Sequence, residues 1–200
     1  LDPEAFRDPL ARALDGGDVA CLQLRLKEVD DDVIKKAAEV LQPLTQEHDV
    51  AFIINDRPDL ARETGADGVH IGQQDASYRE AREILADGTI VGVTCHNSPH
   101  LAMEAADKGA DYVAFGAFYP TATKEVSHQA EIETLVGWTA MTTVPSVAIG
   151  GITMENAPPL VHAGADFLAV ISAVWNHPDG PGVAVCAFNE MIAVASSEAS

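Results

Sequence analysis

One eight-residue pattern recurs along the chain and limits what it can fold into. Gly65-Ala66-Asp67-Gly68-Val69-His70-Ile71-Gly72 returns as Gly109-Ala110-Asp111-Tyr112-Val113-Ala114-Phe115-Gly116, and again as Gly164-Ala165-Asp166-Phe167-Leu168-Ala169-Val170-Ile171. A looser copy runs from Gly16-Gly17-Asp18 through Val19-Ala20-Cys21-Leu22-Gln23-Leu24. A glycine at a helix end adopts left-handed backbone without steric cost. A short run rich in Val, Ile, Phe or Tyr then suits a strand. Each copy therefore reads as helix end, short loop and buried strand. Val50 to Asn55, Thr89 to Thr94 and Pro145 to Ile149 are further apolar runs bounded by turn residues.

Together these predict seven strands, at about 19–25, 50–55, 68–71, 89–94, 111–116, 145–149 and 166–171. Helical patterns lie between them near 31–47, 58–64, 77–86, 98–108, 130–141 and 154–163, with flanking helices at 3–15 and 182–195. Near-continuous apolar strands alternating with amphipathic helices argue for a parallel sheet covered on its outside. Regular alternation along the whole chain favours a closed barrel over a doubly wound sheet. The expected fold is an α/β TIM (β/α)8 barrel, one domain over residues 1–200, to which this chain supplies seven strands. Helix 3–15 precedes the first of them, so the missing strand is expected ahead of Leu1. An open seam is then expected between the strands at 19–25 and 166–171.

Charge narrows the partners. The sequence carries 12 Lys and Arg against 31 Asp and Glu, a net charge of −19, while 47 % hydrophobic residues leave ample material for a core. A field of that sign repels nucleic-acid backbones. The longest apolar runs are far too short to span a bilayer. No basic stretch followed by an apolar one marks a signal peptide, and the start at Leu1 suggests that something upstream has been removed or was never included. Cys21, Cys95 and Cys186 are far apart and form no metal-binding spacing, which fits reduced thiols in the cytoplasm. A homo-oligomer is compatible with all of this.

In a barrel of this kind the chemistry sits at the carboxyl ends of the strands. Those ends carry Gln23, Arg25 and Lys27 at period two, then Asn55-Asp56, then Gly72-Gln73-Gln74-Asp75, then Thr94 and His96. They continue with Tyr119-Pro120-Thr121-Ala122-Thr123-Lys124, Gly150-Gly151 and Ile171-Ser172. Arg25, Lys27 and Lys124 bring scarce positive charge to one rim, as an anionic ligand requires. Asp56 and Asp75 on neighbouring strands suit one hard cation such as Mg²⁺, which takes one or two carboxylates and completes its shell with water and phosphate oxygens. Gly150-Gly151 and the helix start after Ser172 offer backbone N–H groups to a phosphate.

Each feature alone has a plainer explanation. Arg25 and Lys27 could be solvated strand-end charges. Asp56 and Asp75 could cap the helices that follow them. A Gly pair usually marks a turn. His96 and His100 have the i, i+4 spacing of a zinc pair, but Pro99 lies between them and no His-Glu-x-x-His pattern accompanies them. Cys95 reads as a small packing residue. Their joint placement at successive strand ends is harder to explain by folding alone.

The order Gln23-x-Arg25-x-Lys27, Ile54-Asn55-Asp56, His70-Ile71-Gly72-Gln73-Gln74-Asp75, Gly92-Val93-Thr94-x-His96, Tyr119-Pro120-Thr121-x-Thr123-Lys124, Gly150-Gly151-Ile152 and Ile171-Ser172 resembles the thiamine phosphate synthase family over about residues 16–176. The resemblance implies a TIM barrel that condenses hydroxymethylpyrimidine diphosphate with thiazole phosphate, releasing pyrophosphate. It implies that Asp56 and Asp75 hold Mg²⁺ and that Arg25, Lys27, Asn55 and Lys124 bind the diphosphate, with Thr94 adding a hydroxyl. Gln23 and His70 would face the pyrimidine. Thr121, Thr123, Gly150, Gly151, Ile171 and Ser172 would hold the thiazole phosphate.

Four positions, at three places, depart from the family pattern. Leu26 stands where Glu is usual, Thr94-Cys95 where Ser-Ala is more common, and Arg57 where many members carry another acid. An Asn-Asp-Arg run also occurs in a related thiazole tautomerase, in which His96 would be the acid-base group. A paralogue that binds thiazole or thiamine phosphate without turnover is the third reading. The synthase and the tautomerase differ at Asp75 and the Thr-x-Thr-Lys segment; this chain keeps both, and a metal-free isomerase has no need of Asp75.

Overall fold

A computed structural model describes residues 2–121 and 129–198. Seven parallel strands form one curled sheet in sequence order: β1 Cys21–Leu24, β2 Ala51–Asn55, β3 Gly68–Ile71, β4 Ile90–His96, β5 Tyr112–Gly116, β6 Ser146–Ile149 and β7 Phe167–Ala169. Among the described residues β1 and β7 are its two free edges, so the sheet is a TIM-like half-barrel with the seam expected from the strand count. The helices are α1 Pro3–Asp15, α2 Asp31–Glu47, α3 Pro58–Thr64, α4 Tyr78–Ile84, α5 Pro99–Asp107, α6 Ile132–Met141, α7 Pro158–His162, α8 Ser172–Trp175 and α9 Pro181–Glu198. No described helix is long and apolar enough to cross a membrane.

Local chemistry sets the helix starts. The Asp2 carboxylate accepts from the N–H groups of Glu4 and Ala5, and Pro3 opens α1. Ser77 and Glu80 form a reciprocal capping box on α4. Ser98 caps α5 ahead of Pro99. In α2 the buried Ile34, Ala37, Ala38, Leu41 and Thr45 make one stripe, as helical periodicity requires. The central strands are buried on both faces through Phe52, Ile53, Ile54, Val69, Ile71, Val91, Val113 and Phe115, as a parallel sheet under helices demands.

The repeated Gly-Ala-Asp has a definite mechanical role. Gly65, Gly109 and Gly164 take positive φ angles of 67°, 97° and 88°. The alanine N–H groups of Ala66, Ala110 and Ala165 then return to the carbonyls of Ala61, Ala105 and Leu160 at 3.0–3.1 Å, closing the helix. Each aspartate clips the strand before it: Asp67 accepts the Phe52 N–H at 2.7 Å, Asp111 that of Val91 at 2.7 Å, and Asp166 that of Ser146 at 2.8 Å. The same aspartates donate their own N–H to the Phe52, Val91 and Ser146 carbonyls. The motif therefore recurs on every second strand and joins strands in pairs. In the fourth copy the Asp18 N–H donates to Asn189 Oδ1 at 2.5 Å, and Asn189 Nδ2 donates to the Asp18 carbonyl at 3.1 Å. The Asp18 carboxylate makes no bond among the described residues. Gly16 and Gly182 let α9 approach α1 so closely that a Cβ on Gly16 would lie 2.4 Å from the Gly182 carbonyl. The helix layer thus closes across the gap that the strands leave.

Helices 3–15, 31–47 and 58–64 lie where the sequence places them. The outer strands are shorter than their apolar runs, because each has a neighbour on one side only. The pattern at 154–163 forms helix only over Pro158–His162, since residues 153–156 are taken up by a turn in which Asn156 Oδ1 accepts the Thr153 N–H at 2.8 Å.

Candidate active site

The carboxyl ends of β1 to β3 bring five of the expected residues together. Gln23 Nε2 donates to Asn55 Oδ1 at 2.7 Å. Lys27 Nζ lies 3.3 Å from Asp56 Oδ2. Asp56 itself takes a left-handed φ of 64°, and it is not the cap of α3, whose preceding residue is Arg57. Asp75 is no cap either, since Ser77 fills that place on α4. Its Oδ2 instead accepts the Gly72 N–H at 2.9 Å. Burial, and then contact with the Asp56 carboxyl, push the Asp75 carboxyl above its ordinary range. Two acids from adjacent strand ends thus face one another, which is costly unless a cation is shared.

That donor set fits Mg²⁺. Both ligands are hard oxygens, and no group of three or more His, Cys, Asp or Glu accompanies them among the described residues. Mg²⁺ commonly binds through one or two carboxylates and keeps its other positions for water and substrate phosphate.

Arg25 is half-buried and makes no hydrogen bond or ion pair among the described residues. In a chain of net charge −19 this is an uncommitted cation at the rim. Leu26 turns the other way and packs on the core, so its departure from the family pattern leaves the polar face unchanged. Arg57 also points away from the acid pair. Its guanidinium holds Asp31 at 2.5 and 2.9 Å and Asp59 at 2.9 and 2.6 Å.

Deeper in the sheet His70 is buried and fixed on both sides. Its Nε2 meets Thr94 Oγ1 at 2.7 Å and its Nδ1 meets the Tyr112 hydroxyl at 2.9 Å. The Tyr112 ring stacks on it with centroids 5.5 Å apart. Gln73 Nε2 donates to the Thr94 carbonyl at 2.7 Å. The sequence gives no role to Tyr112, and it names Gln73 only as part of the strand-end motif. A signal for Tyr112 was present: Gly92 pairs with it in register, and a Cβ there would lie 1.9 Å from the tyrosine Cζ. Glycine inside a strand often marks such a close approach.

On the far side of the rim, Gly150 and Gly151 take φ angles of 94° and 66°. A Cβ on Gly151 would lie 2.4 Å from the Pro120 carbonyl. The turn is braced by Tyr119, whose N–H donates to the Gly150 carbonyl at 3.1 Å and whose hydroxyl donates to the Asn156 carbonyl at 2.6 Å. Asn156 Nδ2 in turn donates to the Gly151 carbonyl at 3.0 Å. Thr121 follows this braced turn and is half-buried. Ile171 and Ser172 are exposed where β7 gives way to the single-turn α8. Thr123 and Lys124 lie outside the described residues.

The competing features resolve locally. Burial pushes the Cys95 thiol up to about 12, which makes it an inert packing group. His96 ends β4 with a φ of 53°, and the exposed His100 pairs with Glu104 at 3.2 Å. A groove of about 390 Å³ between α7 and α9, lined by Met154, Pro158, Met191 and Val194, contains none of the rim residues.

The chain is similar to known proteins along nearly its whole length. A family model described as thiamine monophosphate synthase matches residues 2–174. A thiamine-phosphate synthase of Rhodospirillum centenum is 62 % identical over 192 residues, spanning 96 % of this chain and 93 % of that protein. The thiamine-phosphate synthase of Hyphomonas neptunium is 53 % identical over 194 residues, spanning 95 % and 88 %. Among solved structures, the thiamine phosphate pyrophosphorylase from Pyrococcus furiosus superposes with a TM-score of 0.84 at 33 % identity, covering 94 % of this chain and 89 % of its own. On this evidence the chain belongs to the thiamine monophosphate synthase family and is a transferase of thiamine biosynthesis.

Proposed function

We propose that the rim joins hydroxymethylpyrimidine diphosphate to thiazole phosphate, with the roles divided along the strand ends. Asp56 and Asp75 would hold Mg²⁺ on the diphosphate. Arg25, Lys27, Asn55 and Lys124 would bind the diphosphate oxygens, with Thr94 adding its hydroxyl. Gln23 and His70 would orient the pyrimidine. Thr121, Thr123, Gly150, Gly151, Ile171 and Ser172 would receive the thiazole phosphate. The free thiols of Cys21, Cys95 and Cys186 fit a reducing, cytoplasmic setting.

In this reaction the bond between the pyrimidine methylene and the diphosphate oxygen breaks, and that oxygen keeps the electron pair. The thiazole nitrogen then bonds the methylene carbon. Negative charge grows on the leaving group, and fixed cations aimed at it give electrostatic stabilisation, commonly the largest catalytic contribution. A bound Mg²⁺ supplies Lewis-acid neutralisation of that charge. Arg25 makes no hydrogen bond or ion pair among the described residues and can turn to the phosphates without breaking one there. Lys27 must leave Asp56 to do so, which couples its release to occupation of the carboxylates. The thiazole nitrogen carries no proton to remove, so the rim needs no general base.

The observation that carries this reading is the facing pair Asp56 and Asp75, with Lys27 on one of them. Its test is thiamine phosphate formation from both half-substrates. Activity should disappear on chelation, return with Mg²⁺, and collapse in Asp75→Ala and Lys124→Ala. Full activity in both variants would overturn the residue assignment.

A further inference from the structure

We propose that Arg57 is a positioning residue that holds the β1–α2 loop, and with it Arg25 and Lys27, over the diphosphate site. The inference rests on the site reading above, in which Arg25 and Lys27 bind the diphosphate.

The run 24–31 is laid along the run 54–57 by three successive contacts. Leu24 pairs with Ile54 in the parallel ladder. Lys27 Nζ reaches Asp56 Oδ2 at 3.3 Å. Asp31, the first residue of α2, receives both Nη atoms of Arg57 at 2.5 and 2.9 Å. Arg25 and Lys27 lie between the outer two of these contacts. The first contact is backbone and the last is a two-pronged ion pair, the strongest kind of side-chain hydrogen bonding.

The middle contact is the one that catalysis must give up. An ammonium that turns to phosphate weakens its hold on Asp56, and a carboxylate that holds a cation has less use for it. Once Lys27 leaves, the far end of the loop is held to β2 through Arg57 and Asp31. Arg57 is itself braced from behind by Asp59 of α3 at 2.9 and 2.6 Å. The two carboxylates raise the guanidinium's proton affinity still further, so it stays charged. Lys35 and Glu63 tie the same two helices at 2.5 Å and keep α2 beside α3. Arg57 therefore adds no repulsion toward a cation between Asp56 and Asp75, because two acids already consume its charge. Lys could not replace it, since one ammonium cannot make both two-pronged pairs.

Steady-state kinetics on the intact chain test this, with Asp31→Asn, Arg57→Ala, Arg57→Lys and Lys27→Ala, each at saturating Mg²⁺. Asp31→Asn changes only the loop-side partner of an exposed pair and should fold normally. It should raise KM for the pyrimidine diphosphate about 3- to 10-fold and leave KM for thiazole phosphate unchanged. Arg57→Ala should do the same or more, Arg57→Lys should not restore the wild-type value, and Asp31→Asn combined with Arg57→Ala should be no worse than Arg57→Ala alone. Pyrophosphate binding measured by calorimetry should weaken in parallel. A diphosphate KM unchanged in Asp31→Asn, or both KM values moving together with Tm, overturns the positioning role. An unchanged diphosphate KM in Lys27→Ala overturns the site reading, and the inference with it. A raised KM in Lys27→Ala beside an unchanged one in Asp31→Asn overturns the inference alone.

Discussion

Lys27 and Asp56 form an ion pair at 3.3 Å that joins the β1–α2 loop to the acid ending β2. The proposed function gives each group another partner, the diphosphate for Lys27 and Mg²⁺ for Asp56. Lys27→Ala should lower kcat/KM by roughly 10- to 100-fold, the usual worth of a charge-assisted hydrogen bond. The loss should fall on the diphosphate substrate when each substrate is varied in turn.

Asp75 faces Asp56 at a cost in the absence of a cation, because burial and the neighbouring acid both oppose its ionisation. Asp75→Asn should relieve that cost. The metal-free variant at pH 7 should melt about 1–3 °C higher than the parent, while Mg²⁺-dependent turnover falls on the order of 100-fold. A lower Tm in the metal-free variant would show that the two carboxyls are not in conflict. The expected trade of stability for function is common at active sites.

Gly151 has left-handed backbone, and a Cβ on it would meet the Pro120 and Tyr119 carbonyls at 2.4 and 2.7 Å. Gly151→Ala should destabilise the chain by about 1–3 kcal/mol. It should also raise KM for thiazole phosphate more than KM for the diphosphate. Denaturant unfolding and the two KM values separate these effects.

The three strand-clipping aspartates offer a comparison within one molecule. Asp67→Asn, Asp111→Asn and Asp166→Asn each weaken a carboxylate bond to a backbone N–H of 2.7–2.8 Å. Each should cost about 1–2 kcal/mol in chemical denaturation. Asp111→Asn should cost most, since Arg82 is also paired with that carboxylate at 2.6 Å. Asp18→Asn should change stability by less than about 0.5 kcal/mol. Equal losses at all four sites would contradict the pairing of strands by this motif.

His48 gives stability a pH dependence. Its Nε2 meets Asp15 at 3.1 Å and its Nδ1 meets the Leu44 carbonyl at 2.9 Å. Both partners are acceptors, so both ring nitrogens must donate, and the Asp15 carboxylate followed by the Leu44 carbonyl raises the imidazole above its ordinary value. The contribution is then fully present below the unfolded value of about 6.5 and is lost as pH rises through the raised folded one. His48→Gln should flatten this part of the Tm–pH curve. A parent curve with no fall above pH 6.5 that His48→Gln abolishes would count against the pair.

Strand order and most helices were legible because their signals are local. The repeat marks helix ends by glycine, and Pro3, Pro58 and Pro99 mark helix starts. The rim was legible because Asp56, Asp75, Lys27 and Gly151 fall at the ends of identifiable strands. What escaped depends on residues far apart in sequence. Arg57 reads only as a departure from the family pattern, since nothing local shows that Asp31, 26 positions earlier, takes up its charge. The support of His70 by Tyr112 comes from across the sheet, and only the glycine at position 92 hinted at it.

A closed barrel has no first or last strand, but this sheet has a middle and two margins. Among the described residues β4 is paired on both sides, whereas β1 and β7 each have one neighbour. Amide exchange should therefore be slowest at β4 and quicken outward in both directions. The rim spans those margins, with Gln23 in β1 and Ile171 just past β7. A molecule bound across both would act as a clasp, and its protection against exchange should be greatest where the free protein loosens first.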